Sequence, residues 1–346
     1  MSDVYDQAHT PVRSIRAAPH DYTGKTQLVS PIPTFSASDF RMHFSIALAS
    51  TALLPNALPL LQPRSSVIAP QRVNMMADDT GFWSGKRVLI AGASSGLGEA
   101  LAIDLSSRGA NLVLAARRAD RLTATADACP GAKPSVLQMD VGDGAAALEA
   151  KAAEAAKLLG GPVDVLCYAA GVGQRTLAID TTADGHAQIM SANFEGAVGL
   201  SRAVLPGMIE QKSGHVMVVS SVQGFFGQPG RSSYAASKAA IIGYFDALRA
   251  EVAKHDVGVT VVVPGYIATD HAASAVGNPS GGGGAAAPEE KKGMPPEELA
   301  TMIADAIEAG KPQLVASQLD GKVGMLLRTL APGLLFKIMR GKAKKL

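Results

Sequence analysis

Cysteine is almost missing from this chain, with Cys129 and Cys167 the only two in 346 residues. Two thiols build neither a disulfide framework nor a structural zinc site, and the seven histidines show no ligand spacing. A metal centre and a stapled mini-fold are therefore set aside. Aromatic residues are scarce at 5%, and the net charge is only +2. So small a charge provides no basic field for nucleic acid. No internal repeat is visible. The apolar stretch Phe44 to Leu61 is interrupted by Pro55, Asn56 and Pro59, which makes a membrane-spanning helix there a marginal expectation.

What the chain has in quantity is alanine, glycine and aliphatic residues, with 47% hydrophobic in all. Its length suits one large domain with extensions. Short apolar runs read as buried strands at Arg87–Ala91, Asn111–Ala116, Ser135–Met139, Val163–Tyr168, Val216–Val219, Val257–Val263 and Gln313–Ala316. Helical stretches alternate with them: Glu99–Arg108, Ala119–Ala128, Ala145–Leu159, Ala187–Leu205, Tyr234–Lys254 and Pro295–Glu308. In the first helix Leu101, Ile103 and Leu105 are expected on the buried side. The alternation predicts an α/β fold, a doubly wound parallel sheet with helices on both faces, over residues 84–320.

Two local patterns carry chemistry. After the first strand come Gly92, Ala93, Ser94, Ser95, Gly96, Leu97 and Gly98, just where a helix opens. Glycines there let the turn tighten and let a phosphate reach free N–H groups. Chance alone would give roughly 0.3 such triplets in a chain this rich in glycine, so the strand–turn–helix context has to support the reading. Further on, Ser221 ends a strand and Tyr234 precedes Lys238 by one helical turn. An ordinary amphipathic helix with a Tyr and a Lys would read the same. As a site, the ammonium beside the phenol favours the phenolate and tunes it for proton transfer at neutral pH. Tyr234 would then exchange a proton with a carbonyl oxygen, and Ser221 would donate to that oxygen as charge develops.

With the glycine turn, Ser221, the Tyr234–Lys238 pair and Pro264-Gly265-Tyr266-Ile267-Ala268-Thr269 in this order, the chain resembles the short-chain dehydrogenase/reductase family over about Ser84 to Thr269. The resemblance implies a Rossmann-like fold and carbonyl–alcohol chemistry with a nicotinamide dinucleotide. It implies that Lys238 also holds the nicotinamide ribose and that Asn193 positions a proton-relaying water. It places Asp140 and Val141 at the adenine, and Ala170, Gly171, Pro264, Gly265, Ile267 and Thr269 along the cofactor. Two departures stand out: Ala91 where relatives carry threonine, and Tyr168-Ala169-Ala170-Gly171 where they carry Asn-Asn-Ala-Gly. Both remove polar groups that brace the turn in relatives.

The second strand ends at Ala116 and is followed by Arg117 and Arg118. No acid stands there to bind ribose hydroxyls, and guanidinium matches a 2′-phosphate, so NADP(H) is the expected cofactor.

The flanks read differently. Residues 1–80 hold no sustained period and are rich in Pro, Ser and Thr. They read as a targeting leader, a signal anchor around Phe44–Leu61 or a disordered extension, and Met42 could itself be a start. The stretch 277–293 is low-complexity and is expected to be mobile. Residues 325–346 mix bulky apolar with basic side chains around a Pro332-Gly333 break. They read as a segment for an anionic membrane surface, or as helices packed on the domain or across a homo-oligomer interface. Lys342 and Lys344 fit an endoplasmic-reticulum retrieval pattern. Peroxisome and plastid are the alternative locations. Arg328–Phe336 and Ser220–Gly224 are similar to the member-seven branch of the dehydrogenase/reductase subfamily, which includes membrane-associated reductases linked to acyl- or alkyl-dihydroxyacetone phosphate. The expected activity is thus NADPH-dependent reduction of a lipid-like ketone. The 3-ketosphinganine, 3-oxoacyl, retinoid and steroid ketones are alternatives, and a low-turnover NADP(H) sensor at a membrane is the reading from another class.

Overall fold

A strand covered on both faces needs apolar residues at every position rather than at alternate ones. After Arg87, β1 (Arg87–Ala91) meets that need: Val88 and Ile90 enter one core cluster, Leu89 and Ala91 the other, and all four are closed to solvent. The computed structural model describes residues 81–269, 275–277 and 293–344, all within the unit from Asn74 to Leu346. The further strands are β2 (Asn111–Ala116), β3 (Ser135–Gln138), β4 (Val165–Tyr168), β5 (Gly214–Val219), β6 (Val257–Pro264) and β7 (Gln313–Ala316). All pair in parallel, in the order β3-β2-β1-β4-β5-β6-β7.

The helices, in chain order, are α1 (Gly96–Ser107), α2 (Ala119–Ala128), α3 (Ala145–Leu158), α4 (Ala183–Met190), α5 (Gly196–Glu210), α6 (Ser232–Val252), α7 (Pro296–Glu308), α8 (Leu319–Leu330) and α9 (Pro332–Ala343). One face of the sheet is covered by α1, α2 and α7 through Leu101, Leu122 and Ile303. The other is covered by α3, α5 and α6 through Leu148, Leu200 and Phe245, and Leu335 of α9 joins that cluster. Each such side chain contributes about 1.5–3 kcal/mol by leaving water. The result is the doubly wound, Rossmann-like α/β fold expected, as a single domain. Its strand order reverses between β1 and β4, which opens a crevice at their carboxyl ends.

Three readings change. Ile103 is exposed, because two residues along a helix turn it about 200° away from Leu101. The helix expected over Ala187–Leu205 is longer and is not uniform: α4 and α5 are joined by a π turn, Ser191–Glu195. The C-terminal segment begins earlier, at Leu319, and breaks at Pro332 as the sequence suggests. No helix among the described residues is long and apolar enough to cross a membrane. The leader, its stretch Phe44 to Leu61, residues 278–292 and the last two residues lie outside the described residues.

Candidate active site

The chain leaves β1 at Ala91 and turns at Gly92, whose φ of +88° suits glycine. A Cβ there would stand 2.6 Å from the Ala170 nitrogen, and one at Gly98 would run into the Gly92 carbonyl oxygen. Those two absent side chains let the turn, the loop after β4 and the start of α1 close on one another. Ser95 precedes α1 without capping it, so the first-turn N–H groups receive no side-chain cap. Arg118 reaches over this turn, its Nη2 donating to Ser94 Oγ at 2.9 Å and Ser95 Oγ at 3.0 Å. Arg117 turns the other way, 3.9 Å from Asp140. Opposite the turn, the Thr269 side chain stands 3.1 Å from where a Cβ of Gly96 would lie.

The second half of the site is assembled from β5 and α6. Ser221 follows β5 in extended conformation, nearly buried, and its Oγ accepts from the Gln223 N–H at 3.2 Å. Ser220 Oγ donates to the Lys238 carbonyl at 2.8 Å and so pins α6 to the strand end. The start of α6 is fixed by Gln174, fully buried, which accepts from the Tyr234 N–H at 3.1 Å and donates to Thr181 Oγ1 at 2.9 Å. Lys238 lies one turn beyond Tyr234, its Nζ 5.6 Å from the ring centroid and donating to the Val219 carbonyl at 2.9 Å.

Every cofactor residue expected from the sequence lines one cleft of about 1660 Å³ together with Ser221, Tyr234 and Lys238. Single-ligand pockets run to roughly 300–1,000 Å³, so this cleft has space for a dinucleotide and a second molecule. Asn193 stands one layer behind that lining, fully buried. Its Oδ1 accepts from the Val172 N–H at 2.7 Å, and its Nδ2 donates to the Val172 carbonyl at 3.0 Å and to Ser237 Oγ at 2.9 Å. Its amide thereby ties the π turn to the loop after β4 and to α6. Such turns recur at functional sites.

The departure at Tyr168 works differently from its sequence reading. Its phenol does not simply remove a brace: it donates to the Ala192 carbonyl at 2.6 Å, beside Asn193. Gly196 makes room, since a Cβ there would stand 2.5 Å from that hydroxyl. Burial, with Asp140 adding to it, raises the Tyr168 pKa, so it remains a neutral donor. Ala91 is simply core. Gln174, and Ser220, Leu327, Leu335 and Met339 of the cleft lining, were not singled out from the sequence as parts of the site. Tyr168 alone left a signal, as a polar group ending an otherwise apolar strand.

Burying an ammonium costs the folded state: desolvation lowers the Lys238 pKa from 10.5 to about 8. Between those values the unfolded chain binds the extra proton. The penalty is fully present below about pH 8 and is relieved as pH rises towards 10.5. Relative to Lys238→Met, the ligand-free wild type should therefore gain stability across that window, by on the order of 3 kcal/mol. Denaturant titrations of both proteins at a series of pH values measure this; a difference that stays flat with pH would mean Lys238 is not desolvated.

Comparisons agree with the geometry. Residues 86–279 match the family model for short chain dehydrogenase. The chain is 37% identical over 306 residues to a Bos taurus protein named dehydrogenase/reductase SDR family member 7B, covering 86% of this chain and 92% of that one. A Drosophila melanogaster dehydrogenase/reductase SDR family protein 7-like is 36% identical over 304 residues, 86% of this chain and 90% of the relative. Among solved structures, a short-chain dehydrogenase from Streptomyces avermitilis superposes with TM-score 0.61 at 29% identity, over 75% of this chain and 99% of that chain. A short chain dehydrogenase/reductase from Burkholderia phymatum, in complex with NAD, gives TM-score 0.60 at 25% identity, over 67% of this chain and 89% of that one. The chain belongs to the short-chain dehydrogenase/reductase family and is an oxidoreductase.

Proposed function

We propose that this oxidoreductase reduces a lipid-like ketone with NADPH at a membrane surface. The observation that carries the cofactor half is the Arg118 guanidinium held over the serines of the glycine turn. That is the place for an anion beyond the pyrophosphate. Gly92, Gly96 and Gly98 would cradle the pyrophosphate, Thr269 would face it, and Asp140 and Val141 would flank the adenine. Bound there, the nicotinamide supplies the hydride. Tyr234 gives its proton to the carbonyl oxygen, and Ser221 donates a hydrogen bond to the same oxygen. Lys238, mostly protonated at neutral pH, keeps a cation beside the phenol as its proton leaves.

The lipid half rests on the C-terminal hairpin. Leu326, Leu330, Leu334 and Phe336 are 52–72% exposed, and Lys322, Arg328, Lys337, Arg340, Lys342 and Lys344 stand among them. Apolar side chains with basic neighbours fit an anionic lipid surface, each cation near it contributing about 1 kcal/mol. Lys342 and Lys344 favour the endoplasmic reticulum as that membrane. Acyl- or alkyl-dihydroxyacetone phosphate is the first substrate to try, with 3-ketosphinganine and 3-oxoacyl chains beside it.

NADPH oxidation against this panel, alongside a binding titration, tests the reading. Tight NADPH binding with no turnover on any ketone would replace it with a cofactor sensor. Because Leu335 is part of the core, membrane association is better tested by substitution than by truncation. Leu326, Leu330 and Leu334 changed together to serine should shift the protein from anionic vesicles into the supernatant, most clearly at raised salt. Unchanged co-sedimentation would move the anchor elsewhere in the chain.

A further inference from the structure

Two glycines three residues apart decide what the C-terminal hairpin touches. Gly321 and Gly324 are the buried residues of α8. A Cβ at Gly324 would stand 2.5 Å from the Phe226 ring, and one at Gly321 would stand 3.1 Å from Val222. The helix therefore lies directly on the turn that follows Ser221. α9 then places Leu335 in the cluster that holds Val222 and Phe226, only 2% exposed. Leu327 and Met339 pack partly buried against that cluster. All three line the same cleft as Ser221 and Tyr234. Val323 and Ile338 line it as well, yet each is 42% exposed. They mark where this apolar wall reaches the surface.

We propose that the α8–α9 hairpin is an alkyl-chain subsite. An unbranched hydrocarbon joined to the reacting carbonyl lies between Phe226 and the Leu327–Leu335–Met339 wall, its far end towards the Val323–Ile338 rim. The inference rests on the ketone-reductase reading for the carbonyl end alone. Leu327, Leu335 and Met339 form an apolar wall that joins the catalytic residues to the outward face of the hairpin, where Asp320 and Lys342 line the same cleft beside Val323 and Ile338. Each methylene that leaves water in such a groove strengthens binding by up to about fourfold.

The test uses the full-length chain with NADPH and alkan-2-ones of four to twelve carbons. A dansyl-labelled undecanoate serves as a non-reacting chain probe on the NADP⁺-loaded protein. In the wild type, kcat/KM should climb with each added methylene until the groove is full. Leu327→Trp and Met339→Trp, which fill it, should flatten that climb and weaken the probe by about tenfold or more. Should either bulky variant fail to bind NADPH, Leu327→Ala and Met339→Ala take its place, and the gain per methylene should fall with the lost wall. A chain-length dependence identical in wild type and variants overturns the subsite and leaves the reductase reading standing. If no alkanone turns over, the probe decides. Binding that the variants lose upholds the subsite while removing the ketone reading, and binding that is absent or unchanged overturns the subsite.

Discussion

Replacing Tyr234 with phenylalanine should lower kcat by about 10²–10⁴-fold, the contribution of a positioned general acid, while NADPH affinity stays nearly the same. The ring survives the change. It keeps its place one turn before Lys238, and the backbone N–H still reaches Gln174. The proton donated to the carbonyl oxygen is lost, so the effect belongs to the transition state and appears in kcat and kcat/KM together. Ser221 and the nicotinamide would still act on the carbonyl, which leaves a residual rate rather than none. Retention of more than a tenth of the wild-type rate would mean that another group supplies the proton. Stopped-flow reduction, with cofactor affinity measured separately, distinguishes that outcome from a folding defect.

How much of this site the sequence reveals follows from how local each determinant is. The strands are legible because a doubly covered strand is apolar along its buried length, as β1 is from Val88 to Ala91 and β4 from Val165 to Cys167. The glycine turn is legible because its constraint is backbone geometry, encoded at Gly92, Gly96 and Gly98 themselves. Tyr234 and Lys238 share a helix face and need only their spacing. Gln174 has no such signature: its partners sit at Thr181 and Tyr234, which only the fold brings together. The hairpin is the instructive case. Its apolar residues point both ways, Leu335 into the core and Leu334 and Phe336 into solvent. Composition announces a sticky segment but cannot say which side is already occupied. The inward face of α8 is carried by Gly321 and Gly324, residues that a hydrophobic pattern does not register. Ile103 errs in the opposite direction, an apolar residue that helical phase turns outward.

Removing Arg117 and Arg118 together, as alanines, should weaken NADPH by about ten- to 160-fold while changing NADH little. The lost partner is a 2′-phosphate that NADH lacks, and a hydrogen bond to a charged group contributes about 1.5–3 kcal/mol. The two arginines are not equivalent. Arg118 is held by Ser94 and Ser95, with its guanidinium already over the turn, so little ordering remains to be done on binding. Arg117 is 63% exposed and lies 3.9 Å from an Asp140 that is itself 41% exposed, an arrangement in which an ion pair contributes little. Arg118→Ala alone should therefore reproduce most of the double variant's loss, and Arg117→Ala only a small part. Fluorescence titrations of both cofactors against the three variants measure this directly. Equal losses for NADPH and NADH would remove the case for NADP(H), and equal losses from the two single variants would mean that Arg117 swings from Asp140 to the phosphate on binding.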